Sequence, residues 1–231
     1  NPRTKKSNQL SISEKNQIDG ILLIDKPEGL TSADVLRVLK RKLRPTKIGH
    51  AGTLDPLAEG ILICLVGKQD TKRQSEFMGS AKEYEYEVLF GFETDTYDIL
   101  GLVKEAKEYD PNEIESRIKS SLQIGNIRQK LPPFSASKIR GKPLYRWYLD
   151  GRINEVEIPE NSIEVIEHEL LKVATVSKAE LEIKINELVN KVNSRFRKDL
   201  VLESWKETFA NLAQNKFLIA TLRAKVTKGA Y

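Results

Sequence analysis

The residues of this chain best placed to do chemistry lie in one loop, residues 49–60. The loop holds the carboxylate of Asp55 among glycines and a proline, and an apolar run over residues 61–66 follows at once. Glycine permits a positive φ or the close approach of a ligand, and loops held by a rigid scaffold often carry catalytic groups. A carboxylate presented in this way can act as a nucleophile. Alternatively, Asp55 is a structural residue that caps the next turn.

The composition indicates a globular protein without a membrane span. The 231 residues, 39% hydrophobic and 31% charged, are enough for one large domain, or for one domain with an appendage. The chain has no long apolar stretch, so no membrane-spanning helix is expected. Its first residues lack the apolar segment of a signal peptide.

The rarer residue types argue against several kinds of site. Cys64, the one cysteine, lies in an apolar run, which excludes a disulfide scaffold and predicts a buried thiol in a reducing compartment, the cytoplasm. His50 and His168 lie far apart and have no cysteine partners, so no metal site is expected. The chain has no glycine-rich phosphate loop of the GxGxxG or Walker type, so an enzyme for sugar nucleotides or other small molecules fits poorly.

The positive charge of the chain is concentrated in two runs, although the net charge is only +5. The second run has Asp150 as its one acid, and the first has none. Such runs can neutralise phosphates, or they can be solvated helix faces. The first run leads directly into the Asp55 loop, which favours binding of a nucleic acid. The cations are Arg37, Lys40, Arg41, Lys42, Arg44 and Lys47 in the first run, and Lys138, Arg140, Lys142, Arg146 and Arg152 in the second.

Local patterns predict strands and helices in an irregular order, with a helical hairpin at about 176–214. This mixture favours an α+β fold with a mainly antiparallel sheet over regular βαβ winding. We expect a flexible tail, 1–18, followed by one domain, 19–231. Strands are predicted at residues 21–24, 82–90, 163–175 and 217–226. Helix starts are predicted at Thr31 with Asp34, at Asp110 with Pro111, and at Ser177 with Glu180.

Four long motifs occur in the chain in one order. They are residues 20–32 (GILLIDKPEGLTS), 49–60 (GHAGTLDPLAEG), 82–101 (with KEY, TDT and DILG) and 134–145 (with FSASK). In these motifs the chain resembles the bacterial tRNA pseudouridine-55 synthases, the TruB family, over residues 20 to about 170 and again at 217–231. The resemblance implies the pseudouridine synthase fold, a mixed, mainly antiparallel central sheet flanked by helices and loops, here with the helical hairpin as an insertion.

The resemblance also implies an activity. The family isomerises one uridine to pseudouridine in the T-loop of tRNA, by detaching the base, rotating it and rejoining it through carbon, with no metal and no cofactor. We therefore expect a monomeric cytoplasmic isomerase that binds the T-arm of tRNA. A non-catalytic RNA-binding or RNA-folding module on the same scaffold is the alternative.

Motif by motif, the resemblance assigns roles to eight residues. Asp55 matches the catalytic aspartate and Tyr231 an active-site tyrosine. Tyr84 matches the tyrosine that packs on the flipped base, although a strand tyrosine is more often a core residue. His50 matches the residue inserted into the RNA, although a loop histidine can simply bond to local backbone.

The remaining assignments concern charged residues. Lys26, Lys47 and Lys138 are expected to contact phosphates, unless they are ordinary surface lysines. Asp98 either orders its polar loop or contacts RNA.

The chain departs from the family at two places. The family follows its tyrosine with a hydrophobic residue and an arginine that pairs with the aspartate, and this arginine would fall two residues after Tyr231. We therefore expect the catalytic domain, 19–231, to be truncated at its C-terminus. Without a cation, a pocket aspartate has a raised pKa, so we expect the 231-residue chain to be poorly active. The second departure is the hairpin at about 176–214, which is expected to pack beside the core and to be dispensable for the chemistry.

Overall fold

The computed structural model describes residues 9–12, 18–44, 46–193 and 197–230, and the side chains of all of these except residues 9–12, 18 and 115. The chain divides into two compact units. The first unit comprises residues 1–80 and 190–195, and the second comprises residues 81–189 and 196–231. Tyr231, a predicted site residue, lies outside the described residues.

In its described residues, the first unit is a four-stranded antiparallel sheet with three helices. The strand order is β1-β2-β4-β3, so β4, which follows the Asp55 loop, is a central strand. The elements are β1 (Gln9–Ile12), β2 (Ile18–Lys26), α1 (Ser32–Lys42), β3 (Ile48–His50), β4 (Gly60–Val66), α2 (Gly67–Lys72) and α3 (Gln74–Met78).

The core of the first unit lies between α1 and one face of this sheet. Alternate residues of β4 point into it together with Leu22 of β2 and Val35 of α1. Cys64 is fully buried, and burial raises the pKa of its thiol to about 11, as expected for an inert core cysteine. The predicted capping box starts α1, because the Thr31 side chain accepts from the Asp34 amide.

The described part of the predicted tail, residues 1–18, is paired in strands. Strand β1 pairs antiparallel with β2, with Gln9 opposite Ile21 and Ile12 opposite Ile18. The prediction of a flexible tail is therefore wrong for Gln9–Ile12 and for Ile18, the first residue of β2, because the two strands form a ladder of backbone hydrogen bonds. Residues 1–8 and 13–17 lie outside the described residues.

The second unit is built on another four-stranded antiparallel sheet, in the order β5-β12-β11-β8. Two small hairpins, β6-β7 and β9-β10, accompany it. The elements are β5 (Lys82–Leu89), β6 (Phe92–Thr94), β7 (Val103–Ala106), α4 (Pro111–Ser121), β8 (Gly125–Lys130), β9 (Lys138–Ile139), β10 (Lys142–Pro143), α5 (Leu144–Leu149), β11 (Glu160–Ser177), α6 (Lys178–Lys191), α7 (Lys198–Asn211) and β12 (Lys216–Val226).

The helical hairpin predicted at about 176–214 is present as α6 and α7, between β11 and β12. Ser177 and Glu180 form the predicted capping interaction, since the Glu180 amide donates to Ser177 Oγ at 3.2 Å and the Ser177 amide donates to Glu180 Oε2 at 2.9 Å. The apolar sides of the two helices pack beside the sheet, as expected. Their shared core consists of Leu181, Ile185, Val189, Val201, Trp205, Phe209, Phe217 and Ile219.

The predicted α+β class with mainly antiparallel strands is confirmed. Every strand pairing among the described residues is antiparallel. Within the same residues, none of the helices has the length and apolar character to cross a membrane. The described part of the chain also holds no cluster of three or more His, Cys, Asp or Glu side chains suited to a metal ion.

Candidate functional site

Asp55 lies in the loop that joins the neighbouring antiparallel strands β3 and β4. Its backbone carbonyl accepts from the Ala58 amide at 3.1 Å, which closes a turn. Its carboxylate makes no hydrogen bond within the described part of the chain, and the residue is exposed to solvent. The capping alternative therefore has no support here, because the carbonyl and not the carboxylate of Asp55 closes the turn.

The residue before Asp55 is held by Ser32, the first residue of α1. The Leu54 amide donates to Ser32 Oγ at 2.9 Å, and Ser32 Oγ donates to the Leu54 carbonyl at 3.0 Å. Ser32 is 2% exposed, so water does not compete for these bonds. Ser32 lies within the first motif, but no role was predicted for it, since no local pattern reveals a contact with a distant loop.

The residue after Asp55 is held by Gly29, whose amide donates to the Pro56 carbonyl at 2.8 Å. Gly29 has φ +88°, and a Cβ there would lie 2.5 Å from the Lys191 carbonyl oxygen. The Asn193 amide donates to the Gly29 carbonyl at 2.9 Å. Only glycine fits this position, and the backbone of the loop is thus fixed on both sides of Asp55.

Lys26, the last residue of β2, is not the phosphate-binding lysine that was predicted. It is fully buried, and its Nζ donates to the carbonyls of Leu30 at 2.6 Å and Pro27 at 3.1 Å, with the Pro56 carbonyl at 3.5 Å. The prediction is wrong because the three donors of the ammonium are directed to backbone carbonyls inside the unit, and neither a phosphate nor bulk water can reach them.

The charges of Lys26 and Asp55 influence each other. Desolvation raises the pKa of the Asp55 carboxyl above its usual value, and attraction by the Lys26 ammonium opposes that rise. Desolvation lowers the pKa of Lys26, and attraction by the Asp55 carboxylate opposes that fall. Because solvent reaches Asp55, it screens both influences on the pKa of the Asp55 carboxyl. Lys26 is therefore a cation within the first unit that favours the ionised form of Asp55.

His50, at the end of β3, is tied to nearby backbone and is half-buried. Its Nδ1 lies 2.7 Å from the Gly52 carbonyl oxygen, so Nδ1 carries a proton and donates. The His50 carbonyl in turn accepts from Gln74 Nε2 at 2.6 Å. His50 is thus bonded to local backbone, which is one of the two alternatives that the sequence left open. This bond fixes the orientation of the ring and does not involve Nε2.

Tyr84 lies on β5 of the second unit, opposite Ala224 of β12. It is 38% exposed, so it is not a closed core residue. Tyr86 is on the same face of the strand, and its hydroxyl lies 2.9 Å from His168 Nε2. Lys138 is exposed on β9, as Lys47 is ahead of β3 in the first unit.

Asp98 orders its own loop. Its Oδ1 accepts from Thr96 Oγ1 at 2.6 Å and from the Leu100 amide at 2.9 Å. Thr94 Oγ1 donates to the Asp98 carbonyl at 2.7 Å. Of the two alternatives that the sequence left open, these contacts realise the structural one.

The two basic runs differ in how far their charges are neutralised. In the second run Lys142 pairs with Asp150 at 2.5 Å, and Arg152 pairs with Glu155 at 2.7 Å. In the first run only Arg37 has an ion pair among the described residues, with Asp34 at 2.6 Å. The other cations are exposed, so α1 and the residues after it form the more strongly charged surface. They are Lys40, Arg41, Lys42, Arg44 and Lys47.

Comparison with known proteins gives a family match that includes this loop. The model for the TruB family pseudouridylate synthase, N-terminal domain, matches residues 40–188. The tRNA pseudouridine synthase B of Aquifex aeolicus is 45% identical over 156 residues, 67% of this chain and 53% of its own length. The protein of that name in Fusobacterium nucleatum is 42% identical over 171 residues, 73% of this chain and 58% of its own. Among solved structures, a chain of a Cbf5-Nop10-Gar1 complex matches with a TM-score of 0.46 and 19% identity, covering 91% of this chain and 40% of that one.

The matched region and the antiparallel α+β fold define a pseudouridylate synthase domain. The chain belongs to the TruB family, and the match is to the N-terminal domain of that family. The chain spans about half the length of the curated relatives it matches.

Proposed function

We propose that this chain carries the catalytic part of an enzyme that isomerises uridine to pseudouridine in the T-loop of tRNA, with Asp55 as the nucleophile. One observation carries the proposal. The Asp55 carboxylate is exposed and makes no hydrogen bond in the described chain, while the backbone on both sides of it is fixed by Ser32 and Gly29. A reactive group held still but left unpaired has the arrangement that catalysis requires.

The chemistry follows from the balance of the reaction. The bond from the ribose carbon to N1 of uracil breaks, and a bond to C5 forms after the base has rotated. The C5 proton leaves and N1 gains one, so no electrons are supplied or removed and no redox cofactor is needed. A carboxylate can assist by attacking the sugar C1′ or the ring C6. The reaction needs Asp55 ionised, which Lys26 favours.

The target base has to leave the stack of the T-loop before Asp55 can act on it. Base-modifying enzymes pay for this unstacking by stacking the flipped base on aromatic or apolar groups. We assign that role to Tyr84, whose ring reaches solvent from β5. We assign to His50 the filling of the space that the base leaves, a role for which a ring held by the Gly52 carbonyl is suited.

The phosphates of the T-arm call for cations that have no ion pair among the described residues. The exposed cations of α1, together with Lys47, meet this requirement best, and Lys138 and Tyr231 remain proposed contacts on the basis of the family motifs. Such charges attract RNA over a distance that salt shortens. We propose that the enzyme acts as a monomer in the cytoplasm on tRNA, without metal or cofactor.

An Asp55→Asn variant tests the proposal. The complete gene product, wild type and variant, is incubated with an unmodified T-arm stem-loop, and pseudouridine is measured by mass spectrometry after chemical labelling. We expect product from the wild type, none from the variant, and equal RNA binding by both. Binding without product by the wild type would support the non-catalytic RNA module instead, and product from the variant would exclude Asp55 as the nucleophile.

A further inference from the structure

The loop between β6 and β7 presents one aromatic side chain in an unusual backbone conformation. Tyr97 has φ +67° and is 68% exposed. A positive φ is rare for a bulky residue, because its Cβ crowds the backbone. The Tyr97 amide donates to the Thr94 carbonyl at 3.3 Å, so the conformation closes a turn.

The base of this loop is fixed by a buried ion pair. The Asp95 side chain is 1% exposed and that of Arg197, just before α7, is 12% exposed, with 2.5 Å between Asp95 Oδ2 and Arg197 Nη2. Asp95 also accepts from the Leu102 amide at 2.8 Å and from the Tyr148 hydroxyl at 3.3 Å. The charges are therefore paired and hydrogen-bonded, as buried charges must be.

Helix α7 holds the same loop at two further points. Trp205 Nε1 donates to the Ile99 carbonyl at 3.0 Å, and the Val103 amide donates to Ser204 Oγ at 3.0 Å. The Ile99 and Leu100 side chains pack into the core of α6 and α7. The helix pair thus fixes the loop through Arg197, Ser204 and Trp205, while the Tyr97 ring stays outside.

An aromatic ring also contacts the guanidinium of Arg197 and supports its position. The guanidinium lies over the Phe134 ring, 5.2 Å from the centroid, and Phe134 lies 4.9 Å from the Tyr148 ring. Arg197 itself has φ +55°, so it too keeps an uncommon backbone conformation. Strained residues persist where their surroundings over-determine them, and they concentrate at ligand-binding sites.

We propose that Tyr97 contacts the RNA by stacking on an unpaired base, and that Arg197 is the positioning residue that keeps its loop in the binding conformation. The inference rests on the proposed function for the identity of the RNA. Unpaired bases are commonly held on exposed aromatic rings. The helix pair, expected from the sequence to be dispensable, then supports substrate binding.

A Tyr97→Asn variant tests the contact. Asparagine tolerates the positive φ, so the fold is kept while the ring is lost. Ile124, also 68% exposed and in the same unit, supplies the matched control Ile124→Ala. With the complete gene product and the T-arm stem-loop, we expect Tyr97→Asn to raise Kd and KM at least about fivefold, with kcat unchanged and the control at wild-type values. Unchanged Kd in Tyr97→Asn would overturn the proposal.

A double variant tests the positioning role without leaving a lone buried charge. Asp95→Asn with Arg197→Met should raise Kd as Tyr97→Asn does, and should speed hydrogen exchange at the Leu102 amide. Adding Tyr97→Asn to this double variant should not raise Kd further, since both changes remove the same contact. Arg197→Lys should restore part of the affinity. Faster exchange with wild-type Kd would show that Arg197 is only structural.

The two proposals fail in different ways. If the wild type binds the T-arm RNA but makes no pseudouridine, the proposed function fails, while the comparison of Kd values still decides the role of Tyr97. If the wild type makes pseudouridine and Tyr97→Asn binds and turns over as the wild type does, only the present inference fails.

Discussion

The Ser32 hydroxyl and the backbone of Leu54 exchange two hydrogen bonds across 22 residues of sequence, at 2.9 and 3.0 Å. Ser32 begins α1 and Leu54 precedes Asp55, so the helix start determines where the loop backbone lies. Because Ser32 is buried, both groups of Leu54 lose their partner if the hydroxyl is removed.

We therefore expect Ser32→Ala to lower both stability and turnover. Two backbone groups left unpaired in a buried place should cost about 1–3 kcal/mol of unfolding free energy. A small displacement of a catalytic group can cost up to roughly a hundredfold in rate, so kcat should fall at least about tenfold. Denaturant unfolding and single-turnover kinetics measure the two effects.

The adjacent Thr31→Ala is the matched control. It removes the N-cap of the same helix, at a cost of about 1 kcal/mol, and the hydroxyl that it removes bonds to Asp34 rather than to Leu54. Its kcat should stay near the wild-type value. If both variants lose turnover in proportion to their loss of stability, Ser32 has no special role in positioning Asp55.

The pair of Lys26 and Asp55 predicts a shift in pH dependence. If Asp55 acts as the proposed nucleophile, its carboxyl has to be ionised, so kcat/KM rises with pH through the pKa of Asp55, which desolvation has already raised. Lys26 lowers that pKa, so in Lys26→Met the pKa rises further and the acidic limb moves to higher pH. Lys47→Met removes an exposed cation as a control and should leave the limb in place. If the acidic limb of folded Lys26→Met lies at the same pH as in the wild type, Lys26 does not influence the pKa of Asp55.

The sequence predicted the parts of this structure that depend on neighbouring residues. The helix starts at Thr31 and Ser177 were found because a capping box spans only three residues. The burial of Lys26 was not predicted, because its carbonyl partners surround it only after β2 and the Asp55 loop have come together. The pair of Asp95 with Arg197 was missed for the same reason, since 102 residues separate its members.

The helix pair α6–α7 gives a prediction opposite to the one drawn from the sequence. Replacing it by a short turn would uncover Phe217 and Ile219 of β12 and leave Asp95 without its cation. An unpaired buried charge costs several kcal/mol, so we expect the shortened protein to lose cooperative unfolding in calorimetry. A well-folded, active deletion protein would restore the view that the pair is dispensable.

A single substitution tests the contact between α7 and the loop that joins β6 and β7. Trp205→Phe keeps an apolar ring but leaves the Ile99 carbonyl without its donor, which should cost about 1–3 kcal/mol of unfolding free energy. Ile183 on α6 is 60% exposed, so Ile183→Ala should change stability by no more than about 0.5 kcal/mol. Equal losses in the two variants would show that the indole hydrogen bond contributes nothing.

The cations at the end of α1 and just after it have two possible roles, which the dependence of RNA binding on salt can distinguish. Cations in a last helical turn stabilise the helix dipole, whereas cations that meet phosphates make RNA binding depend on salt. If Arg41 and Arg44 contact phosphates, replacing each with Gln should reduce the slope of log Kd against log salt by about 1. Arg37→Gln, on the same helix but at a residue paired with Asp34, should leave the slope unchanged. Variants that lose helix stability but keep the full slope would assign these cations to the helix alone.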